Sequence, residues 1–217
     1  MPLVAKNSPQ PKQARAKATV DQVIAETKVA LAKGGETAVR IQEISKSTQV
    51  SIGSIYHHFG DRDGLIRATY VHQFASGVAE DIGNVKRFMT KMHSTQDIIE
   101  HYDEMVEFLV QHFSRVPASE RAAILGNTTG RPLLHLALSE VQHELTNGLT
   151  EVMQLLKDRN MLKPHLSPRA AAVVTLGMLH GRVIADLDTR PVDADEWNVA
   201  MLSAFSGLFI LDNQPNV

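Results

Sequence analysis

Between Pro11 and Pro117 the chain runs 105 residues, 12 to 116, without a proline. Proline lacks a backbone donor and clashes with the preceding turn, so a proline-free stretch of that length permits long helices. The later prolines, at 117, 132, 164, 168, 191 and 215, fall between periodic segments. No alternating strand pattern or hairpin signal stands out. The expectation is an all-α chain of nine helices, three small and basic followed by six mostly longer and acidic.

A first helix is expected from Thr19 to Lys33, stopped by Gly34-Gly35, with short ones at Ile41–Thr48 and Ile52–Phe59. Ser51 is the N-cap of the third. Asp61 caps a fourth that runs towards Asp81, and 84–94 reads as a basic connector. From Thr95, Ile98, Tyr102, Met105, Leu109 and Phe113 recur at helical spacing. Further helices follow at Ser119–Asn127 and Leu138–Arg159, then from Ser167-Pro168 to Leu187 and from Asp193 to Leu211.

Charge divides the chain. Residues 1–62 hold nine Lys/Arg against five Asp/Glu, whereas 63–217 hold thirteen against nineteen. A basic end on an acidic body is the footprint of contact with a polyanion at one end. With no cysteine, disulfides, thiol nucleophiles, iron–sulfur clusters and sulfur-built zinc sites are excluded. Met1 to Ala18 has no apolar stretch like a signal peptide's, and the apolar run Ala170 to Leu179 is interrupted and too short to span a bilayer. The expectation is a soluble, cytoplasmic chain with no membrane partner. Three segments are expected: a flexible basic arm (1–17), a three-helix domain (18–62), and a larger helical domain (63–217).

Residues 41–59, IQEISKSTQVSIGSIYHHF, carry the function. Two eight-residue helices flank a three-residue turn, the spacing of a helix-turn-helix. Ile44, Thr48, Val50, Ile55 and Phe59 fit the buried positions, and Ser45 is small where the helices must approach. Ile52, Gly53, Ser54, Tyr56 and His57 remain outward, short or planar side chains suited to reading bases in the major groove.

Val50 to Leu65 resembles the signature of the tetracycline-repressor (TetR/AcrR) family: Val-Ser, a glycine two residues on, Ser, Ile, Tyr, any residue, His, Phe, and a basic residue opening the next helix. The first 75 residues match that family's DNA-binding domain in order and spacing, and the remainder in length and helix count. The sequence departs from the pattern twice. Gln49 stands where the turn usually has glycine, so it must take a left-handed conformation costing roughly 1–2 kcal/mol. Ile52 offers only apolar contact where a polar or basic residue is common. The resemblance implies a homodimeric, sequence-specific repressor that leaves a double-stranded operator when a small-molecule effector binds the larger domain. It implies no cofactor and no enzymatic activity.

On that reading Ser51, Ser54 and Tyr56 supply hydroxyls, Gly53 lets the backbone approach, and His57 contacts bases. His58 and Arg62 face phosphates beside the fourth helix's N-terminus. Arg40 and Lys46 contact the DNA backbone.

Small residues at Gly177 and Gly181, and at Ser203 and Gly207, suit close helix packing. Spacing alone fits packing within one chain as well as between two copies, and the resemblance favours a dimer. Phe74, Tyr102, Met105, Phe108, His112, His135, Met178 and Trp197 are effector-pocket candidates, chiefly Tyr102, Met105 and Met178. The same residues at helical spacing are more often plain core.

The alternative is a helical-bundle metal- or ligand-binding protein, or an enzyme, without DNA recognition. Its one signal is Glu140-x-x-His143, the spacing of di-iron bundles, but no second copy accompanies it. No metal is assigned. A further alternative is an architectural DNA binder without an inducer.

Overall fold

In a computed structural model the described residues are 12–76, 78–101, 104 and 118–210. Among them the backbone is helical, joined by turns, with one isolated antiparallel bridge between Leu162 and Phe209. The chain divides into two compact units, Met1–His72 and Gln73–Val217.

In the first unit α1 spans Lys12–Gly34, a 3-10 turn covers Gly35–Ala38, and α2 (Ile41–Thr48) and α3 (Ile52–Phe59) follow. Then α4, Arg62–Ala75, carries the chain out of the unit. Val23 and Ile24 from α1, Ile41 and Ile44 from α2, Ile55 from α3 and Leu65 and Ile66 from α4 are buried. Each fully buried aliphatic side chain is worth about 1.5–3 kcal/mol, so the short helices are held by shared burial and not by propensity. Helix α1 starts at Lys12 and not at Thr19. The stretch Lys12–Ala18 consists of Ala, Lys, Arg and Gln, all good helix formers. The expected arm is thus helical from Lys12 onward, and residues 1–11 lie outside the described residues.

The second unit contains α5 (Val78–Thr90), α6 (Thr95–Glu100), α7 (Ala118–Gly126), α8 (Pro132–Asp158), α9 (Pro168–His180), α10 (Arg182–Leu187) and α11 (Ala194–Ser206). The basic connector expected over 84–94 is mostly helix. Its cations conceal an apolar stripe, Val85, Phe88, Met89 and Met92, all buried in the main core. The stripe of α8 is buried at Leu145, Leu149, Val152 and Leu156, as read from the sequence. That helix begins six residues earlier than expected, because Pro132 takes a first-turn position where its missing N–H costs nothing. Helices α5 and α8 cross at Gly148, where an added Cβ would lie 2.6 Å from the Ile82 side chain. Beyond the crossing, Arg159 donates to the carbonyls of Met89 and Thr90, each at 3.2 Å, and to that of Met92, closing the end of α5.

The caps at Ser167 and Asp193 form as expected: Ser167 Oγ accepts from Ala170 N (3.1 Å) and Asp193 Oδ1 from Asp195 N (2.8 Å). Helix α6 opens on a reciprocal cap between Ser94 and Asp97. Hydrogen bonds from the His93 backbone N–H and then from the Ser94 hydroxyl hold the Asp97 carboxyl below its ordinary value, although burial acts the other way. The helix expected from Pro168 to Leu187 breaks at Gly181 into α9 and α10. By length and composition Pro168–Leu187 is apolar enough to cross a membrane, longer than the run read from the sequence. Here Ala171, Ala172, Thr175 and Leu176 are buried, and Ala171, Ala172 and Leu176 join the core cluster with residues of α8.

Candidate nucleic-acid interface

Position 49 makes the turn between α2 and α3. Gln49 sits in the left-handed region, φ 58 and ψ 19, as the missing glycine required. Thr48 Oγ1 donates to the Ile44 carbonyl (2.6 Å), and the Gln22 side chain donates to the Thr48 carbonyl (3.1 Å), tying the end of α2 to α1. Ser45 Oγ donates to the Val50 carbonyl (2.7 Å), so its value in the turn is a hydrogen bond as well as small size.

Ser51 caps α3, its Oγ accepting from Ser54 N (3.2 Å), which leaves the Ser51 O–H as a donor. Ile55 is wholly buried, and this fixes the helix's rotation. Ile52, Gly53, Tyr56, His57 and His58 are consequently exposed, with Ser54 half-buried. Tyr56 and Ile52 are the large side chains of this face, 44% and 38% accessible. The His57 and His58 rings lie 5.4 Å apart, edge to face. Gly53 has nothing within 4 Å of where a Cβ would stand. The exposed face of α3 is therefore a shallow strip of one ring, two imidazoles, an isoleucine and bare backbone. Such a strip offers donors, acceptors and apolar edges to base edges, with room for the helix to lie close.

The flanking cations differ in their availability. Lys46 is exposed on α2. Arg40, at the N-cap of the same helix, is exposed and within 3.3 Å of Glu43. Arg62 has a use that the sequence did not suggest. Its Nε donates to the Val39 carbonyl at 2.8 Å and its NH2 to the Glu36 carbonyl, pinning the loop before α2 to the start of α4. Its third nitrogen, NH1, makes neither of these bonds.

Two glycines shape the corner between α3 and α4. Gly60 ends α3 at φ 79, where an L side chain is strained, and its N–H closes on the Tyr56 carbonyl at 2.8 Å. Gly64 permits a closer approach: a Cβ there would lie 2.0 Å from the Phe59 carbonyl oxygen. Asp61 caps α4 through Gly64 N at 2.6 Å, as expected. The quoted signature includes Gly64, but sequence reasoning gave it no role; an Asp-x-x-Gly pattern after a glycine stop could have flagged it.

In the second unit the candidates separate. Tyr102, Met105, Phe108 and His112 lie outside the described residues. Met178 lines a cavity between α5, α8, α9 and α11, whereas Phe74 and Trp197 do not. Instead Arg121 stands 5.8 Å from the Phe74 ring centroid and Arg182 5.9 Å from that of Trp197. His135 is exposed and lines a separate open groove along α8, with Leu125, Thr128 and Arg169 on its other walls. Glu140 and His143 are both exposed, and His143 Nε2 lies 2.8 Å from Asn147. Among the small residues, Gly181 faces its own chain: a Cβ added there would lie 3.4 Å from the Trp197 ring. Gly177 opens to space, and Ser203 and Gly207 are exposed. On α9, α10 and α11, Val173 (51%), Val174 (46%), Ile184 (74%) and Val199 (66%) are exposed as well.

The profile of bacterial regulatory proteins of the tetR family matches residues 18–69. No curated protein sequence matches the chain. Solved structures share its fold along most of its length. A TetR-family transcriptional regulator from Mesorhizobium loti superposes with a TM-score of 0.69 at 18% identity, over 91% of this chain and 99% of that one. Escherichia coli NemR in its reduced form gives 0.65 at 16% identity, over 90% and 100%. The flavonoid-responsive regulator FrrA gives 0.59 at 17%, over 89% and 97%. Residues 18–69 thus match the tetR-family DNA-binding profile in sequence, and the chain as a whole shares the fold of solved TetR-family regulators.

Proposed function

We propose that the protein is a dimeric, cytoplasmic repressor that reads a specific operator through α3 and is released from it by a small-molecule effector. Residues 18–62 form the reading part, residues 63–217 the effector-binding and dimerisation part, and the cations of residues 1–17 add affinity. The observation that carries this reading is the exposed strip on α3, held outward by the burial of Ile55. Tyr56, His57, Ser54 and Ile52 contact bases and Gly53 admits the backbone. Ser51, His58, Arg40, Lys46 and the remaining nitrogen of Arg62 contact phosphates. Phosphate contacts set affinity and its salt dependence, and base contacts set specificity.

Dimerisation is supported by the exposed apolar side chains Val173, Val174, Ile184 and Val199, on the helices that carry Gly177 and Ser203 and on α10 between them. Exposed apolar groups on soluble proteins mark interaction surfaces where they cluster. Gly177, Ser203 and Gly207 would let a second copy approach closely, whereas Gly181 faces its own chain. A two-fold dimer presents two α3 helices about 34–36 Å apart for successive turns of the major groove. To move occupancy from 99:1 bound to 1:99, the effector must favour the released form by about 5.5 kcal/mol.

The test is an electrophoretic shift with DNA flanking the protein's own coding region. Specific retardation at moderate salt is expected, with a complex of two chains or a multiple of two. No retardation with any genomic fragment would overturn the reading.

A further inference from the structure

The cavity in the second unit is about 50 Å³ and lies among α5, α8, α9 and α11. Among the described residues its wall holds no charged and no titratable side chain. Four thioethers line it, Met89, Met153, Met178 and Met201, with the rings of Phe88 and Phe205 and aliphatic groups between them. Among the described residues of the wall the one polar side chain is Thr175, whose hydroxyl already donates to the Ala171 carbonyl at 2.8 Å. Among the described residues of the wall an occupant would find no free donor. A carboxylate or ammonium group would lose its water there with nothing to replace it, an expensive transfer.

The volume adds a second constraint. About 50 Å³ exceeds one water's share of roughly 30 Å³ but falls short of the roughly 150 Å³ of an apolar cavity that binds benzene. A ligand of any size must therefore displace lining side chains. Unbranched thioethers, with three rotatable bonds and a polarisable sulfur, yield most readily and gain from contact with aromatic rings.

We infer that this cavity is the effector site and that the effector class is an uncharged, polarisable hydrophobe, aromatic or halogenated, with no hydrogen-bonding group on the buried end. This inference rests on the effector-release reading given above and narrows it to a chemistry. The methionines open the cavity as the ligand enters. Because they come from α5, α8 and α11 as well as from α9, entry re-packs four helices together.

The test uses the full chain without DNA, titrated with benzene and with benzoate by proton NMR and by thermal melting. Benzene is expected to bind saturably, one per chain, and to raise the melting temperature, with benzoate about a hundredfold weaker or more. Thr175→Val should hold benzene within about twofold of wild type, since the hydroxyl is already spent. Met178→Trp fills the cavity and should weaken benzene at least about tenfold. Met153→Phe serves if the first variant does not melt cooperatively. Benzoate binding as tightly as benzene, no saturable benzene binding, or unchanged benzene binding in a folded, filled variant would overturn the inference. Benzene binding without any release of bound DNA would leave the site standing and sink the release reading. Release by a charged compound, with benzene inert, would do the reverse.

Discussion

Replacing Gly53 by alanine should make the protein more stable and a poorer DNA binder at once. Gly53 is helical, exposed, and has no heavy atom within 4 Å of an ideal Cβ, so the folded state pays no steric penalty. Glycine costs about 0.8–1 kcal/mol relative to alanine inside a helix. Position 53 is the second residue of α3, beside the Ser51 cap, so about half of that is a fair expectation, roughly 0.5 kcal/mol. For a domain of this unit's size that is about 2–4 °C in melting temperature. On DNA the new methyl sits in the strip that lies closest to the bases. The loss should be about 1–3 kcal/mol, the size of one base contact. Differential scanning calorimetry and fluorescence anisotropy on the same preparation give both numbers. The matched control is Gly64→Ala, whose Cβ would meet the Phe59 carbonyl at 2.0 Å. It should destabilise by about 1–3 kcal/mol or more, because backbone must shift. If Gly53→Ala lowers the melting temperature, or raises it with affinity untouched, the reasoning about this helix face is wrong.

Gln49→Gly should raise stability by about 0.5–1 kcal/mol in urea denaturation: the relief of the left-handed strain at φ 58 outweighs the added freedom of the unfolded chain. A loss would mean that the glutamine side chain does more than occupy the turn. Arg62→Ala should weaken binding to all DNA sequences alike, measured by anisotropy. It should also cost the fold about 1 kcal/mol by thermal melting, since two hydrogen bonds to the 36–39 loop go with it. Burial, and then the charge of Arg121, hold His180 below its ordinary value of 6.5, against a hydrogen bond with the Leu176 backbone. Between the folded value and 6.5 the unfolded chain therefore binds more protons, so stability rises with pH through that window and is complete above it. His180→Gln should flatten this slope in urea midpoints taken from about pH 5 to 8.

Much of the first unit was legible because its signals are local. Turn length, the Ser51 and Asp61 caps and the Gly34-Gly35 stop each act within a few residues, and the missing glycine at 49 correctly implied a left-handed residue. What escaped the sequence depends on neighbours distant along the chain. Arg62 looked like a phosphate contact because its partners are carbonyls 23 and 26 residues away. Gly64 was given no role because the atom that excludes a Cβ belongs to the previous helix. In the second unit Lys86, Arg87 and Lys91 outweighed the apolar stripe between them, so a core helix read as a connector. Gly177 and Gly181 looked equivalent at four-residue spacing, yet one opens to space and the other meets Trp197.

The account stands on the face of α3 reading base edges, and the specificity ratio of Tyr56→Ala measures that most directly. Affinities for the operator and for a scrambled duplex, compared across salt concentrations, should differ at least about a thousandfold in the wild type. In Tyr56→Ala the ratio should fall about tenfold or more while the salt slope stays the same, since no phosphate contact is removed. An unchanged ratio, or a loss shared equally by both duplexes, would contradict it.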